Sequence, residues 1–137
     1  MCYAVERRIK EIVLEHLGHT RWVIPDMYMK SGFAKDKTPS HESVSFLNTG
    51  ERNAVATVMI MLNSHDDDYH SFQIMVPAKK SVQLRMDKLD AWQIKIPFDN
   101  PYSMMIESDL KIVVEYARFN WIDGNIQSFG LIPYGEN

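Results

Sequence analysis

Two rhythms of apolar residues divide the chain. The stretch "AVERRIKEIVLEHLG" places Val5, Ile9, Ile12, Val13 and Leu17 at helical spacing, as one apolar stripe among charges. Gly18 then offers a left-handed stop. The pattern predicts an α-helical extension over residues 1–18 that docks on the main body or self-associates. Glu6, Glu11 and Glu15 share its polar face with Arg7, Arg8 and Lys10, a mixture that disfavours an anionic membrane surface. From residue 19 the period shortens towards two. Arg21–Ile24 reads as a short strand ended by Pro25. Residues 26–40, "DMYMKSGFAKDKTPS", lack a clean period and predict a loop long enough to carry function. "SVSFLN" alternates, with Val44 and Phe46 on one face. Ala54–Leu62, "AVATVMIML", suits helix or strand by period alone. The flanking "NTGERN" and "NSHDDDYH" decide for a strand with a hairpin on each side.

Further strands are predicted at "SFQIMVPA" and "SVQLRM", split by Pro77 and the pair Lys79 and Lys80. "DKLDAW" predicts a single helical turn capped by Asp87. "YSMMIES" and "KIVVEYARFN" predict two long strands joined by a tight turn at Ser108 and Asp109. "IQSFGLI" predicts a last strand after the Asp123–Gly124 turn. Many short strands with regular turns, and one helix, predict an all-β fold. Its expected form is an antiparallel, jelly-roll-like β-sandwich with one added N-terminal α-helix.

Composition narrows the function classes. At 137 residues the chain fits one β-domain, residues 19–137, beside the extension. Cys2 is the single cysteine, so no internal disulfide forms, which is compatible with a reducing compartment. No run approaches the ~20 apolar residues that span a bilayer. Charges at Glu6, Arg7, Arg8, Lys10 and Glu11 interrupt any signal-peptide centre, and the expected location is cytoplasmic. The net charge of −3 is the wrong sign for a protein that neutralises phosphates. The basic pairs Arg7–Arg8 and Lys79–Lys80 lack the interleaved aromatics of a single-strand groove.

The candidate chemistry begins at "SHESVSFLNTGERNA". His41 and Glu42 are neighbours at the mouth of an apolar run. In an extended segment they point to opposite faces, whereas a turn would let both face a cleft. The plain reading is that Ser40 and Glu42 satisfy local backbone donors and His41 sits on a rim. Arg118, after "IVVEYA", can fork two bonds to a carboxylate, either Glu42 or an acidic ligand. Trp22 offers a stacking face and Asp26 an acceptor for hydroxyls, although core is the better reading of a strand tryptophan. Asn48 is expected to close a turn with Gly50. "HDDDYH", with His65, Asp66, Asp67, Asp68 and His70, lacks EF-hand spacing and reads as a solvated turn. The methionines, among them Met27, Met29, Met59, Met61, Met104 and Met105, read as core and interface filling. No nucleophile elbow, phosphate loop or His-Glu-x-x-His signature occurs, and no metal or cofactor is expected.

In succession, "RWVIPD", "SHESVSFLNTGERNA", "VPAKKSVQLRMDKL" and "ESDLKIVVEYARF" resemble the sensory rhodopsin transducer family and its related small-molecule-binding domains. The resemblance runs from about residue 20 to 134 and leaves out the N-terminal extension. It implies a β-sandwich protomer assembled into a homotetramer, with a sugar or related metabolite as ligand. It also raises the standing of Ser40, His41, Glu42 and Arg118 as a ligand site. The expected function is therefore non-catalytic binding of a sugar or sugar acid by Trp22, Asp26, His41, Glu42 and Arg118. A protein-interaction adaptor in signal transduction and a small carbohydrate-acting enzyme stay open as alternatives.

Overall fold

The computed structural model describes residues 15–33, 38–63 and 69–137. Among them run eight strands: β1 His19–Met27, β2 His41–Asn48, β3 Ala54–Leu62, β4 Tyr69–Val76, β5 Lys80–Arg85, β6 Tyr102–Ile122, β7 Asn125–Leu131 and β8 Tyr134–Glu136. Every pairing is antiparallel, as the short strands and turns predict.

The 21-residue β6 organises the rest. Its first half lies between β3 and β1, with Met104 opposite both Ile60 and Ile24. Its second half lies between β2 and β7, with Arg118 opposite Glu42 and Phe129. β4 extends the first sheet beyond β3 and β8 extends it beyond β1, while β5 extends the second beyond β2. Two sheets thus share one strand. The same alternate positions stay buried from Tyr102, Met104 and Ile106 to Ile112, Val114 and Tyr116. One face of β6 therefore lines the core along both sheets. Val44 and Phe46 of β2 join Val58 and Ile60 of β3 in that single apolar cluster.

The expected tight turn at Ser108 and Asp109 is corrected: the chain passes through them as one strand. Neither residue takes a positive φ, and neither is the glycine or asparagine that a two-residue hairpin turn wants. The Asp109 carboxylate instead accepts the Val55 N–H at 2.8 Å and closes the end of β3. Asp123 and Gly124 form the contrast. With φ of 50° and 78° they make the two-residue turn that pairs Ile122 with Asn125.

"NTGERN" is corrected as well, because β2 and β3 do not pair and the segment crosses between sheets. Asn48 holds it by donating from Nδ2 to the Arg52 and Val76 carbonyls and accepting the Gly50 N–H at Oδ1. The Asn48–Gly50 contact expected from sequence is thus present, though not in a hairpin. The other expected hairpin, β3 to β4, forms in full register. β1 runs through Pro25 at an irregularity in the ladder between Ile24 and Met27, where no donor is missed. Asp87 caps no helix. It grips Arg85 with two bonds of 2.8 and 2.7 Å, while the short 3₁₀ turn Asp90–Trp92 starts further on, without a side-chain cap.

Most of the predicted N-terminal helix, residues 1–14, lies outside the described residues, and residues 15–18 carry no helix. Among the described residues there is no α-helix, so the added helix of the expected fold is not seen. The core of "HDDDYH", residues 64–68, also lies outside them. Met27, Met29 and Met104 are fully buried, whereas Met59, Met61 and Met105 are half-buried. Among the described residues no helix is long and apolar enough to cross a membrane.

Candidate functional site

β2 and β6 set Glu42 and Arg118 directly opposite each other on their inward faces. Alternation along β2 therefore sends Glu42 into the core, where it is fully buried. A carboxylate in that position needs donors at both oxygens. Tyr102, at the start of β6, donates its hydroxyl to Glu42 Oε1 at 2.5 Å. Tyr116 donates its hydroxyl to Oε2, and the Tyr28 backbone N–H reaches the same oxygen at 3.0 Å. Arg118 Nε–H is shared between Glu42 Oε2 at 3.4 Å and the Tyr116 hydroxyl oxygen at 3.0 Å.

This cluster sets its own electrostatics. Burial, reinforced by the nearby Glu42 charge, pushes both tyrosine hydroxyls well above their ordinary pKa. Burial alone would lower Arg118, but the Tyr116 hydroxyl and the Glu42 and Asp26 carboxylates together hold it above its usual value. The phenols stay neutral donors and the guanidinium stays charged across ordinary pH. Four donors converge on Glu42, one at Oε1 and three at Oε2, so the fold itself engages both carboxylate oxygens.

Arg118 is the member that reaches outward. Its side chain is 15% exposed. Nη2 donates to the Asp26 carbonyl at 3.1 Å, and the Asp26 carboxylate stands 3.8 Å away with its side chain 85% exposed. The guanidinium lies over the Phe129 ring at 5.2 Å and over Tyr116 at 5.9 Å, both favourable cation–π placements. Here the surface opens into a groove of about 280 Å³ between Asp26, Tyr116, Phe129, Leu131, Ile132 and Tyr134. A larger hollow of about 490 Å³, around Val55, Met59, Met105 and Glu107, holds none of the five candidate ligand residues.

Asp26, Glu42 and Arg118 therefore come together, and the other two candidates do not. Trp22 is core: its indole N–H donates to the His19 and Ile112 carbonyls at 3.1 and 3.2 Å, leaving no face for a ligand. His41 points away from Glu42, as an extended backbone requires. It stacks on Phe119 at 4.8 Å, with Nδ1 3.2 Å from the Pro39 carbonyl. Ser40 is buried and accepts the Trp121 N–H at 2.9 Å. Ser40 and Glu42 thus take their donors from distant parts of the chain rather than from the local backbone of the plain reading. Sequence reasoning missed Tyr28, Tyr102, Tyr116 and Phe129. Tyr116 carried a readable signal, since it shares a strand face with Arg118 two residues on. Tyr102 carried none short of the full topology.

Comparison with known proteins follows the same outline. The family described as Anabaena sensory rhodopsin transducer matches residues 17–134. No curated protein matches the chain. Among solved structures, Thermotoga maritima 1070 is 29% identical with a TM-score of 0.75, covering 87% of this chain and 96% of that one. The Anabaena sensory rhodopsin transducer is 28% identical with a TM-score of 0.62, covering 74% of this chain and 88% of its own.

Proposed function

The chain belongs to the Anabaena sensory rhodopsin transducer family, and from that premise we propose a non-catalytic binding module that takes a small acidic metabolite in the Arg118 groove. The ligand class is a sugar acid. One observation carries the reading: Arg118 is locked from behind by Glu42 and Tyr116, and its end lies against Asp26 and Phe129, two residues that line the adjoining aromatic-walled groove. Phe129 and Tyr134 offer faces for the C–H side of a sugar ring, and the Asp26 carboxylate accepts from its hydroxyls. The full burial of Glu42 beneath these donors supports binding over turnover. In this proposal Glu42 positions Arg118 and does not touch the ligand, and Trp22 and His41 take no part. The division at residue 18 and the homotetramer belong to the same proposal, the latter testable by sedimentation velocity.

The test is a thermal-shift screen against sugar acids, neutral sugars and sugar phosphates, with Arg118→Lys beside the wild type. A ligand at a hundred times its Kd adds about 2.7 kcal/mol, enough to raise Tm by several degrees. The lysine variant keeps the charge and loses the fork, so its shift should shrink sharply for sugar acids alone. No shift from any compound removes the ligand.

A second reading rests on β7. All seven of its residues are exposed, and among the described residues it pairs only with β6. With Ile126, Phe129, Leu131, Ile132 and Tyr134 at the surface, this edge suits a protein partner, such as the receptor of a transducer. Ile126→Asp separates the readings, because Ile126 lies on β7 outside the groove, and its loss should abolish partner association in an adaptor while leaving sugar-acid binding intact.

A further inference from the structure

The segment Tyr28–Phe33 lies as a strap beside the Glu42 cluster, and its first anchor is the carboxylate that positions Arg118. Tyr28 N–H is tied to Glu42, Lys30 N–H to Asn120 Oδ1 at 3.3 Å, and Ser31 N–H to Asp99 Oδ1 at 2.9 Å. Gly32 seats it on β6. Its φ is +151°, and a Cβ there would come 2.4 Å from the Trp121 carbonyl oxygen. Just upstream, the Asp26 carbonyl accepts from Arg118 Nη2, a bond at the protein surface.

The inference rests on the groove reading above. Arg118 spends Nε on Glu42 and Tyr116, so the only edge left to clasp a carboxylate with two bonds is the one formed by Nη1 and Nη2. Nη2 is already engaged by Asp26. We propose that an anion in the groove and the Asp26 carbonyl, at the end of β1 from which the strap leaves, compete for this edge of Arg118, so that filling the groove releases the Asp26 carbonyl and loosens the Tyr28–Phe33 strap. The strap is then the output of the binding event, and its exposed Phe33 is the side chain whose presentation changes. Because coupling is reciprocal, anything that loosens the strap strengthens anion binding.

The probe is glucuronate, with glucose as the neutral control. Amide exchange at Lys30 and Ser31 is measured by NMR with and without it, while the Arg118 Nε resonance reports engagement of the guanidinium. Asp99 is exposed and holds the strap at the Ser31 N–H and the Tyr28 hydroxyl, so Asp99→Ala loosens the strap without removing a donor to Glu42. The expected result is faster exchange at both amides with glucuronate, and glucuronate binding at least about fivefold tighter in Asp99→Ala, the lower end of ordinary coupling. Glucuronate that moves the Arg118 resonance but leaves both amides and the Asp99→Ala affinity unchanged overturns the competition and spares the groove reading. Slower exchange, with weaker binding in the variant, overturns its sign. No glucuronate binding to either protein overturns the groove reading for this ligand class and the coupling with it.

Discussion

Between Tyr102 and Ser108, β6 runs between β3 and β1, and its inward Met104 and Ile106 belong to the apolar cluster. Between Tyr116 and Phe119 the same strand runs between β2 and the wholly exposed β7, and the inward position Arg118 carries a charge. The first stretch is held by shape: many weak contacts, each tolerant of a small change. The second is held by a set of hydrogen bonds converging on one carboxylate, where losing one member strands the others. A charge is sustainable there because the partner strand β2 brings Glu42 opposite it and Asp26 meets its outer end. The strand is thus stability at one end and recognition at the other.

The sharpest way to break this contrast is Glu42→Ala. It leaves two buried phenols, an amide and a guanidinium without their acceptor, and should cost about 3–5 kcal/mol. Urea denaturation measures it as a lower midpoint. A loss no greater than that of an ordinary core trim would show that the cluster is not cooperative.

High pH probes the same region without a mutation. The folded protein holds the Tyr102 and Tyr116 protons above the ordinary value of 10.0, through burial and then the Glu42 charge. The unfolded chain releases them near that value. This contribution is complete below pH ~10 and is lost as pH rises towards the raised pKa values. One unit above the unfolded value the loss is roughly 1.4 kcal/mol per tyrosine. Tyr102→Phe should flatten the alkaline limb of a stability–pH curve by one such step.

In the shape-held stretch, Ile106→Val removes a single methylene and should cost about 0.5–1.5 kcal/mol by the same urea assay. Smallest of all, Phe129→Ser on the exposed β7 should change stability by no more than about 0.5 kcal/mol, while removing one wall of the groove. A sugar-acid thermal shift that survives this change would place the ligand elsewhere.

The fold was legible wherever local chemistry and long-range pairing agree. Ala54–Leu62 has its bounds as read, because its polar flanks mark both ends where the period alone left helix and strand open. Asp123–Gly124 was legible because a turn of that kind needs positive φ. Ser108 and Asp109 misled for the converse reason: a polar pair in a strand looks like a turn until a neighbour claims it, as Val55 claims Asp109. β8, only three residues long, had no period to read and exists by pairing with Arg21–Val23. At the site, Glu42, Arg118 and Asp26 stood out as charges placed beside apolar runs. Tyr102 and Tyr116 looked like core, and by burial they are core. Their hydroxyls gain a role only because the chain brings Glu42 to them from 60 and 74 residues away.

The sharing of β6 between sheets also orders events on the ribosome. β1, β2 and β3 each take β6 as a partner, and β6 begins at Tyr102. A nascent chain ending at Pro101 can form the β3–β4 hairpin and the β2–β5 ladder, but neither sheet has its central strand. Trp22, Val44 and Ile60 then await their burial until the last quarter of the polypeptide has emerged. For most of its synthesis the chain presents sticky, half-built edges, and assembly comes as one late closure around a strand threaded through both layers.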